Sequence, residues 1–183
     1  MCYKRVLFVG FSWYEPTTIA FLQDAIQEVL GIESEFVSKV SLPQKAYHLL
    51  RRQYLASAFL EQLLFFKTNP SDIVLGITGE DLYEPNLNFV FGIATPLYGV
   101  AIIGTKRLHN SFYGLHEDAA LYYRRVAIEA IHEIGHVLGL SHCENPHCVM
   151  HFSNTLAEAD TKGYRFCPNC EEKAKKAICT DKI

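Results

Sequence analysis

Residues 132–142 have the sequence HEIGHVLGLSH, and this stretch decides how the rest of the chain is interpreted. On an α-helix, His132 and His136 lie one turn apart on the same face, so both imidazoles can reach one ion. Gly139 tolerates the positive φ of a sharp turn at a helix end, and His142 can then return as a third ligand. The first five residues alone also arise by chance, so it is Gly139 and His142 that favour a metal site.

Three histidines leave the fourth position of a tetrahedral zinc site to water, which is typical of a catalytic site. Zinc lowers the pKa of such a water from about 15.7 to about 7. Glu133 follows the first histidine and is offset by one residue from the ligand face, so its carboxylate can lie beside that water. It can accept the proton as a general base and later pass it to a leaving amine. The pattern therefore predicts a hydrolytic site.

Four cysteines follow with a second metal-binding pattern. Cys143 and Cys148 are separated by four residues, Cys167 and Cys170 by two, and eighteen residues lie between the two pairs. Four thiolates fill the coordination sphere of zinc, so such a site is structural and would fold a segment too poor in apolar residues for its own core. Disulfide pairing and redox use are the alternatives. We expect two zinc ions per chain, one catalytic and one structural.

The other two cysteines and two nearby histidines are expected to lie outside both sites. Cys2 and Cys179 stand near the ends of the chain, and we predict free thiols there. His147 and His151 lie within the cysteine region and could replace a ligand in either site. We expect instead that their imidazoles are exposed or contact a ligand residue.

The rest of the chain predicts a mostly parallel β-sheet with packed helices. Apolar runs bounded by turn residues predict strands, and a 3.6-residue apolar period predicts helices. The predicted strands are residues 5–11, 33–40, 72–78, 89–94 and 98–103; the predicted helices are residues 18–30, 54–67 and 118–138. The last helix carries the metal motif. No repeat or linker divides the 183 residues, so one domain is expected.

Charge and hydropathy exclude several classes of function. The net charge is −3, and basic residues form no stripe longer than pairs such as Arg51-Arg52 and Lys175-Lys176, so a nucleic-acid surface is not indicated. No apolar run approaches the roughly 18 residues of a membrane span, and the run Val6–Phe11 is too short for a signal peptide. We expect a soluble, cytoplasmic monomer with neither nucleic acid nor membrane as a partner.

The motif HExxHxxGxxH, followed by Met150 and the four cysteines, resembles the metzincin clan of zinc peptidases and, within it, the archaemetzincin family. The resemblance covers residues 131–170. It implies a mixed α/β fold in which residues 1–139 form a twisted mixed sheet with a backing helix and an active-site helix. Residues 140–183 would form a small zinc-bound subdomain of the same catalytic domain, with the cleft between the two parts.

The resemblance also implies further roles around the cleft. Met150 would form a Met-turn that packs beneath the three histidines without binding zinc. A strand at the rim of the cleft, residues 89–94 or 98–103, would pair with an extended peptide. Only seven residues separate His142 from Met150, fewer than in most metzincins. We also expect no propeptide with a switch residue. We therefore expect a narrow cleft and no latency by a propeptide.

The predicted function is that of a zinc-dependent metallopeptidase. Zinc-activated water would hydrolyse peptide bonds of a peptide or protein substrate, with Glu133 as general base and acid. One alternative is a zinc-stabilised peptide-binding or scaffold protein with little or no turnover. Another keeps the enzyme but gives it a small non-peptide amide as substrate, because the same attack serves any carbonyl that reaches the metal.

Overall fold

A computed structural model describes residues 2–179 of the chain. The elements of this part are, in chain order, β1 (Arg5–Phe11), α1 (Pro16–Leu30), β2 (Glu33–Val40), β3 (Tyr47–His48), β4 (Gln53–Leu55), α2 (Ser57–Leu63), β5 (Asp72–Thr78), β6 (Leu82–Tyr83), β7 (Gly92–Thr95), β8 (Val100–Gly104), α3 (Ala119–Val137), α4 (Leu156–Lys162) and α5 (Pro168–Ala177). Within it, no helix combines the length and the apolar character needed to cross a membrane.

Five strands form the main sheet in the order β2-β1-β5-β8-β7. The first three pairings are parallel, and β7 runs antiparallel to β8 at one edge. Every residue of β5 and of β8 is buried, as is typical of parallel strands covered on both faces. A smaller sheet has the order β3-β4-β6. The predicted mixed fold is confirmed.

Alternation of side chains along the strands divides the core between the two faces of the sheet. Phe8, Leu75 and Ile103 belong to a cluster that also contains the buried faces of α1 and α3. Their neighbours Val74 and Ile102 belong to a second cluster, on α2. The long helix α3 is thereby fixed on one face of the sheet, where it contacts β7 and β8.

The prediction of one helix over residues 54–67 was wrong in its first part. Gln53–Leu55 forms β4, in which the Tyr54 amide donates to the Asp81 carbonyl (2.9 Å), and helix α2 begins only at Ser57. A 3₁₀ turn, Leu64–Phe66, follows it. Helical apolar spacing was visible locally, but the pairing of β4 with β6 depends on residues almost thirty positions away. Long-range hydrogen bonds therefore overrode the local pattern.

The prediction of free thiols at Cys2 and Cys179 was also wrong, because a disulfide joins them. The Tyr3 amide donates to the Ala177 carbonyl and the Cys179 amide to the Tyr3 carbonyl, both at 2.8 Å. This short parallel bridge leaves the two cysteine Cα atoms 5.0 Å apart, within the range of a disulfide. The end of α5 is thus tied to the start of β1.

Candidate metal centres and cleft

The three histidines of the motif converge at the C-terminal end of α3. His132 and His136 lie one turn apart, and their Nε2 atoms are 3.2 Å from each other. Gly139 has a φ of 88°, and the Leu140 amide turns back to the Gly135 carbonyl at 3.0 Å. This reversal places the ring of His142 4.9 Å from that of His136, centroid to centroid. The turn predicted at Gly139 therefore brings the third imidazole to the first two.

Hydrogen bonds to backbone carbonyls fix which ring nitrogen of His132 and of His136 carries the proton. His132 Nδ1 lies 2.7 Å from the Val149 carbonyl oxygen, and His136 Nδ1 lies 2.8 Å from that of Leu140. A carbonyl only accepts, so both Nδ1 atoms carry the proton and both Nε2 atoms present lone pairs to each other. Two ligands of a tetrahedral zinc ion stand about 3.3 Å apart, at 2.0–2.1 Å from the metal. The donor set fits zinc.

Burial keeps these imidazoles neutral, which is the form that binds a metal. Burial, and then the nearby Lys162 ammonium, lower the pKa of His132 to about 2. Burial also lowers the pKa values of His136 and His142, although His142 is the most exposed of the three. At neutral pH the three rings therefore offer unprotonated nitrogens.

Glu133 lines the same cleft as the three histidines and is only 5% exposed. Burial, and then the neighbouring Glu129 carboxylate, raise its pKa well above the ordinary value, while the Lys162 ammonium opposes the rise. Gly92 of β7 lies close to the Glu133 side chain. A Cβ there would stand 2.8 Å from Glu133 Cγ, so a residue without a side chain is needed at this point of the strand.

Met150 is fully buried, and its side chain packs against the backbone of α3 at Gly135. A Cβ on Gly135 would lie 2.3 Å from its sulfur. The Met150 carbonyl accepts a hydrogen bond from the Cys143 amide at 2.9 Å, and the preceding residue, Val149, holds His132. The methionine turn therefore connects the histidine cluster to the cysteine cluster.

The four cysteine sulfurs all lie within 4.8 Å of one another. Cys143 Sγ is 3.9 Å from Cys167 Sγ, and two thiolates of one tetrahedral zinc site, each about 2.3 Å from the metal, stand about 3.8 Å apart. Cys167 occupies the position just before α5, and its amide donates to Cys148 Sγ at 3.3 Å. Although burial opposes it, hydrogen bonds from Cys170 and from the other thiols lower the pKa of Cys167 to about 7. These sulfurs also fit zinc.

The two histidines of the cysteine segment stand outside both clusters in the described chain. His147 is exposed, and its backbone amide donates to Asn145 Oδ1. His151 Nδ1 donates to the carbonyl of Cys143 at 2.8 Å. His147 is therefore exposed, and the imidazole of His151 contacts a residue of the cysteine cluster, in line with the sequence analysis.

The cleft above the histidines has a volume of about 760 Å³. Its rim is the segment Asn86–Ala94, which ends in the edge strand β7, so the first of the two predicted rim strands is the one at the cleft. Arg51 and Gln53 hold this rim by donating to the Asn88 carbonyl at 3.1 and 2.9 Å.

Sequence reasoning missed several residues of the cleft. Glu129 is one turn before Glu133 on α3, and that four-residue spacing could have revealed it. Lys162, which lines the cavity, had no local signal, because the folded chain brings it in from a distant segment. The same holds for Arg51, which lies outside the cavity and holds its rim through the Asn88 carbonyl.

Comparison with known proteins decides the family. Residues 9–176 match the family model for peptidase family M54. The chain belongs to this family. It is 42% identical over 179 residues to the archaemetzincin of Pyrococcus furiosus, covering 94% of this chain and 93% of that protein. It is 43% identical over 155 residues to that of Methanocaldococcus jannaschii, covering 85% and 84%.

Solved structures agree with this assignment. The archaemetzincin of Methanopyrus kandleri superposes with a TM-score of 0.83 at 38% identity, covering 96% of this chain and 95% of that one. A zinc-dependent peptidase from Methanocorpusculum labreanum gives a TM-score of 0.84 at 30% identity, covering 92% and 99%. The predicted archaemetzincin resemblance is confirmed, and this M54 member is a zinc metallopeptidase, a hydrolase that acts on peptides or proteins.

Proposed function

We propose that this peptidase hydrolyses peptide bonds at a zinc ion held by His132, His136 and His142, with Glu133 as general base and acid. The observation that carries the proposal is the convergence of two unprotonated Nε2 atoms 3.2 Å apart, in the cleft that Glu133 lines. Zinc bound there supplies a Lewis acid for the substrate carbonyl and lowers the pKa of a water.

Glu133 handles the proton in this proposal. Its raised pKa makes the carboxylate a stronger base than an exposed glutamate, and the Lys162 ammonium favours the ionised form that can accept a proton. The carboxylate removes a proton from the attacking water and then delivers it to the nitrogen of the leaving amine. Gly92 leaves room for the carboxylate beside β7.

The substrate backbone is proposed to lie along β7. This strand is at the edge of the sheet and pairs with β8 on one side. Its other side offers backbone groups to which an extended peptide can add as a further strand.

We propose two zinc ions per chain, one for each donor set. The second, held by Cys143, Cys148, Cys167 and Cys170, is proposed to be structural. Residues 1–139 and 140–183 are proposed to be subdomains of one catalytic domain, because a single apolar cluster contains both Ile134 and Val149. A monomer without nucleic-acid or membrane partners and a cytoplasmic location stay predictions from the sequence.

The test compares the parent with the Glu133→Ala variant on a mixed peptide library, analysed by mass spectrometry, after zinc in both has been counted. We expect two zinc ions in each and cleavage products only with the parent. Products from both would remove Glu133 from the mechanism. Zinc loss in the variant would contradict a purely catalytic role. Blank profiles from two fully loaded proteins would favour a peptide-binding function or a small amide substrate.

A further inference from the structure

The hairpin formed by β3 and β4 carries an exposed apolar tip, residues 47–52. Leu49 and Leu50 occupy its turn and are 76% and 91% exposed. Single exposed apolar residues are common on protein surfaces, but two adjacent leucines stand here in a turn, where small and polar residues dominate. Neither leucine belongs to either apolar cluster of the core. The tip is therefore an apolar surface without a partner in residues 2–179.

Hydrogen bonds hold the turn in this position. The Arg52 amide donates to the His48 carbonyl at 2.8 Å, and the Arg51 amide donates to His48 Nδ1 at 3.3 Å. Arg52 has a φ of 55°, in the left-handed region that closes the turn. While these bonds persist, both leucine side chains remain in solvent.

The chain around the tip is basic. Residues 36–60 contain four lysines or arginines and neither aspartate nor glutamate, although the whole chain has a net charge of −3. Lys45, Arg51 and Arg52 are exposed, and none of them forms an ion pair within residues 2–179. The positive charge beside the leucines is thus free to meet an anionic partner.

Acidic residues of the neighbouring strand do not neutralise this charge. Glu80 and Asp81 precede β6, the strand that pairs with β4, and each has a base of its own. Glu80 lies 3.8 Å from Lys106, and Asp81 lies 2.6 Å from Arg107. Glu84, just after β6, accepts from the backbone amide at the start of α2 at 2.7 Å. None of the three carboxylates pairs with a basic side chain of the tip.

Aliphatic side chains with basic neighbours fit the surface of an anionic bilayer. Leucine gains free energy by leaving water for the boundary of the acyl chains, while lysine and arginine stay at the level of the lipid phosphates and attract them. A stable protein complex instead buries roughly 800 Å² on each partner, more than one turn with two leucines offers. A fluid lipid surface requires no complementary shape. Charge and size together therefore favour lipid as the occupant.

We propose that the tip docks this protein on an anionic lipid surface, with Leu49 and Leu50 inserted and with Lys45 and Arg52 against lipid phosphates. The sequence-based expectation of no membrane partner rested on the lack of a spanning segment and of a signal peptide. Neither criterion bears on a hairpin that lies at the lipid surface. Because Arg51 donates to the Asn88 carbonyl, the lipid surface lies beside the rim of the cleft.

The first experiment measures vesicle binding of the zinc-loaded full chain. Sucrose-loaded vesicles of phosphatidylcholine, alone or mixed with phosphatidylglycerol, are sedimented, and the bound fraction gives an apparent dissociation constant. The variants are Leu49→Ser with Leu50→Ser, and Arg52→Glu. Matched controls are Leu97→Ser, 81% exposed in the turn between β7 and β8, and Lys173→Glu, exposed on α5. All these positions are exposed, so folding should be unaffected.

A second measurement locates the tip in the bilayer. A tryptophan is introduced by Leu50→Trp or, as control, by Leu97→Trp, and its fluorescence is recorded with vesicles that contain brominated lipid. The native Trp13 is 4% exposed and provides a constant background. Bromine quenches only a ring that enters the acyl region. This measurement reports insertion even where a serine variant is unstable.

We expect the parent and both controls to bind the mixed vesicles and to bind pure phosphatidylcholine more weakly. The double serine variant should bind the mixed vesicles about tenfold or more weakly, because two apolar side chains are lost. Arg52→Glu should weaken binding about tenfold, and added salt should weaken the parent. Brominated lipid should quench Leu50→Trp and leave Leu97→Trp unchanged.

Other outcomes would overturn the docking tip. They are an absence of vesicle binding by the parent, equal binding by the parent and the tip variants, and equal quenching of the two introduced tryptophans. A parent that ignores vesicles but self-associates in light scattering, with loss of association in the double serine variant, would assign the tip to a second copy of the chain. None of these results depends on peptide cleavage, so they leave the proposed function to its own test.

Discussion

The side chain of Met150 packs directly against the backbone of Gly135. A Cβ on Gly135 would stand 2.3 Å from Met150 Sδ and 3.1 Å from its Cε. Glycine inside a helix costs about 1 kcal/mol relative to alanine, so helix stability alone favours replacing it. The close approach explains its place in the motif. It lets α3 rest directly on the turn whose Val149 carbonyl orients His132.

We therefore predict that Gly135→Ala destabilises the protein by about 1–3 kcal/mol, because the added methyl overpacks a filled core. The same displacement should weaken zinc binding through His132. Denaturant unfolding and competition with a chromophoric chelator measure the two effects. Adding Met150→Ala to Gly135→Ala should recover part of the lost free energy of unfolding. If the free-energy changes of the two substitutions simply add, the two residues are not in direct contact.

The cysteine cluster predicts a separate loss of metal. Cys148 is fully buried and accepts the Cys167 amide, so Cys148→Ser should remove one of two zinc ions and lower the free energy of unfolding by about 3 kcal/mol or more. Elemental analysis of purified protein counts the zinc. His147→Ala, in the same segment but exposed, should keep both ions. Two ions in the serine variant would argue against a four-thiolate site.

The Cys2–Cys179 disulfide closes a loop over a sequence separation of 177 residues. Cross-links of such length restrict the unfolded chain strongly, and we predict that reduction lowers the free energy of unfolding by about 2–5 kcal/mol. Unfolding curves with and without reductant measure this. A Cys2→Ser variant should have the same free energy of unfolding as the reduced protein, and reductant should not change it. Alkylation of thiols in intact cells would show whether the bond forms there; two free thiols would favour the reducing compartment predicted from the sequence.

Local patterns predicted the elements that place the histidines. Strand β1 and helix α3 have clear apolar patterns, and the spacing of His132, His136 and Gly139 depends on helix geometry alone. The disulfide, the strand β4 and Lys162 depend on contacts between segments far apart in sequence, and no local pattern contains that information. The sequence could therefore predict the histidine motif at the centre of the site. The residues around the cleft that come from distant segments could be identified only from the folded structure.

Arg51 shows what such a distant residue does for the cleft. Its guanidinium donates to the Leu87 and Asn88 carbonyls and to Gln53 Oε1, and it stacks 4.3 Å over the ring of Tyr83. These contacts fix the rim segment that leads into β7, although Arg51 itself does not line the cavity.

Arg51→Ala should therefore raise KM for a library-derived peptide about fivefold and leave kcat nearly unchanged, since about 1 kcal/mol of rim positioning is lost and Glu133 is not moved. Steady-state kinetics at equal zinc content measure the split. Arg52→Ala is the matched control, because this neighbour is exposed and has no side-chain hydrogen bond among those observed in residues 2–179. A fall in kcat at constant KM, or an equal effect of both substitutions, would show that Arg51 does not act through the rim.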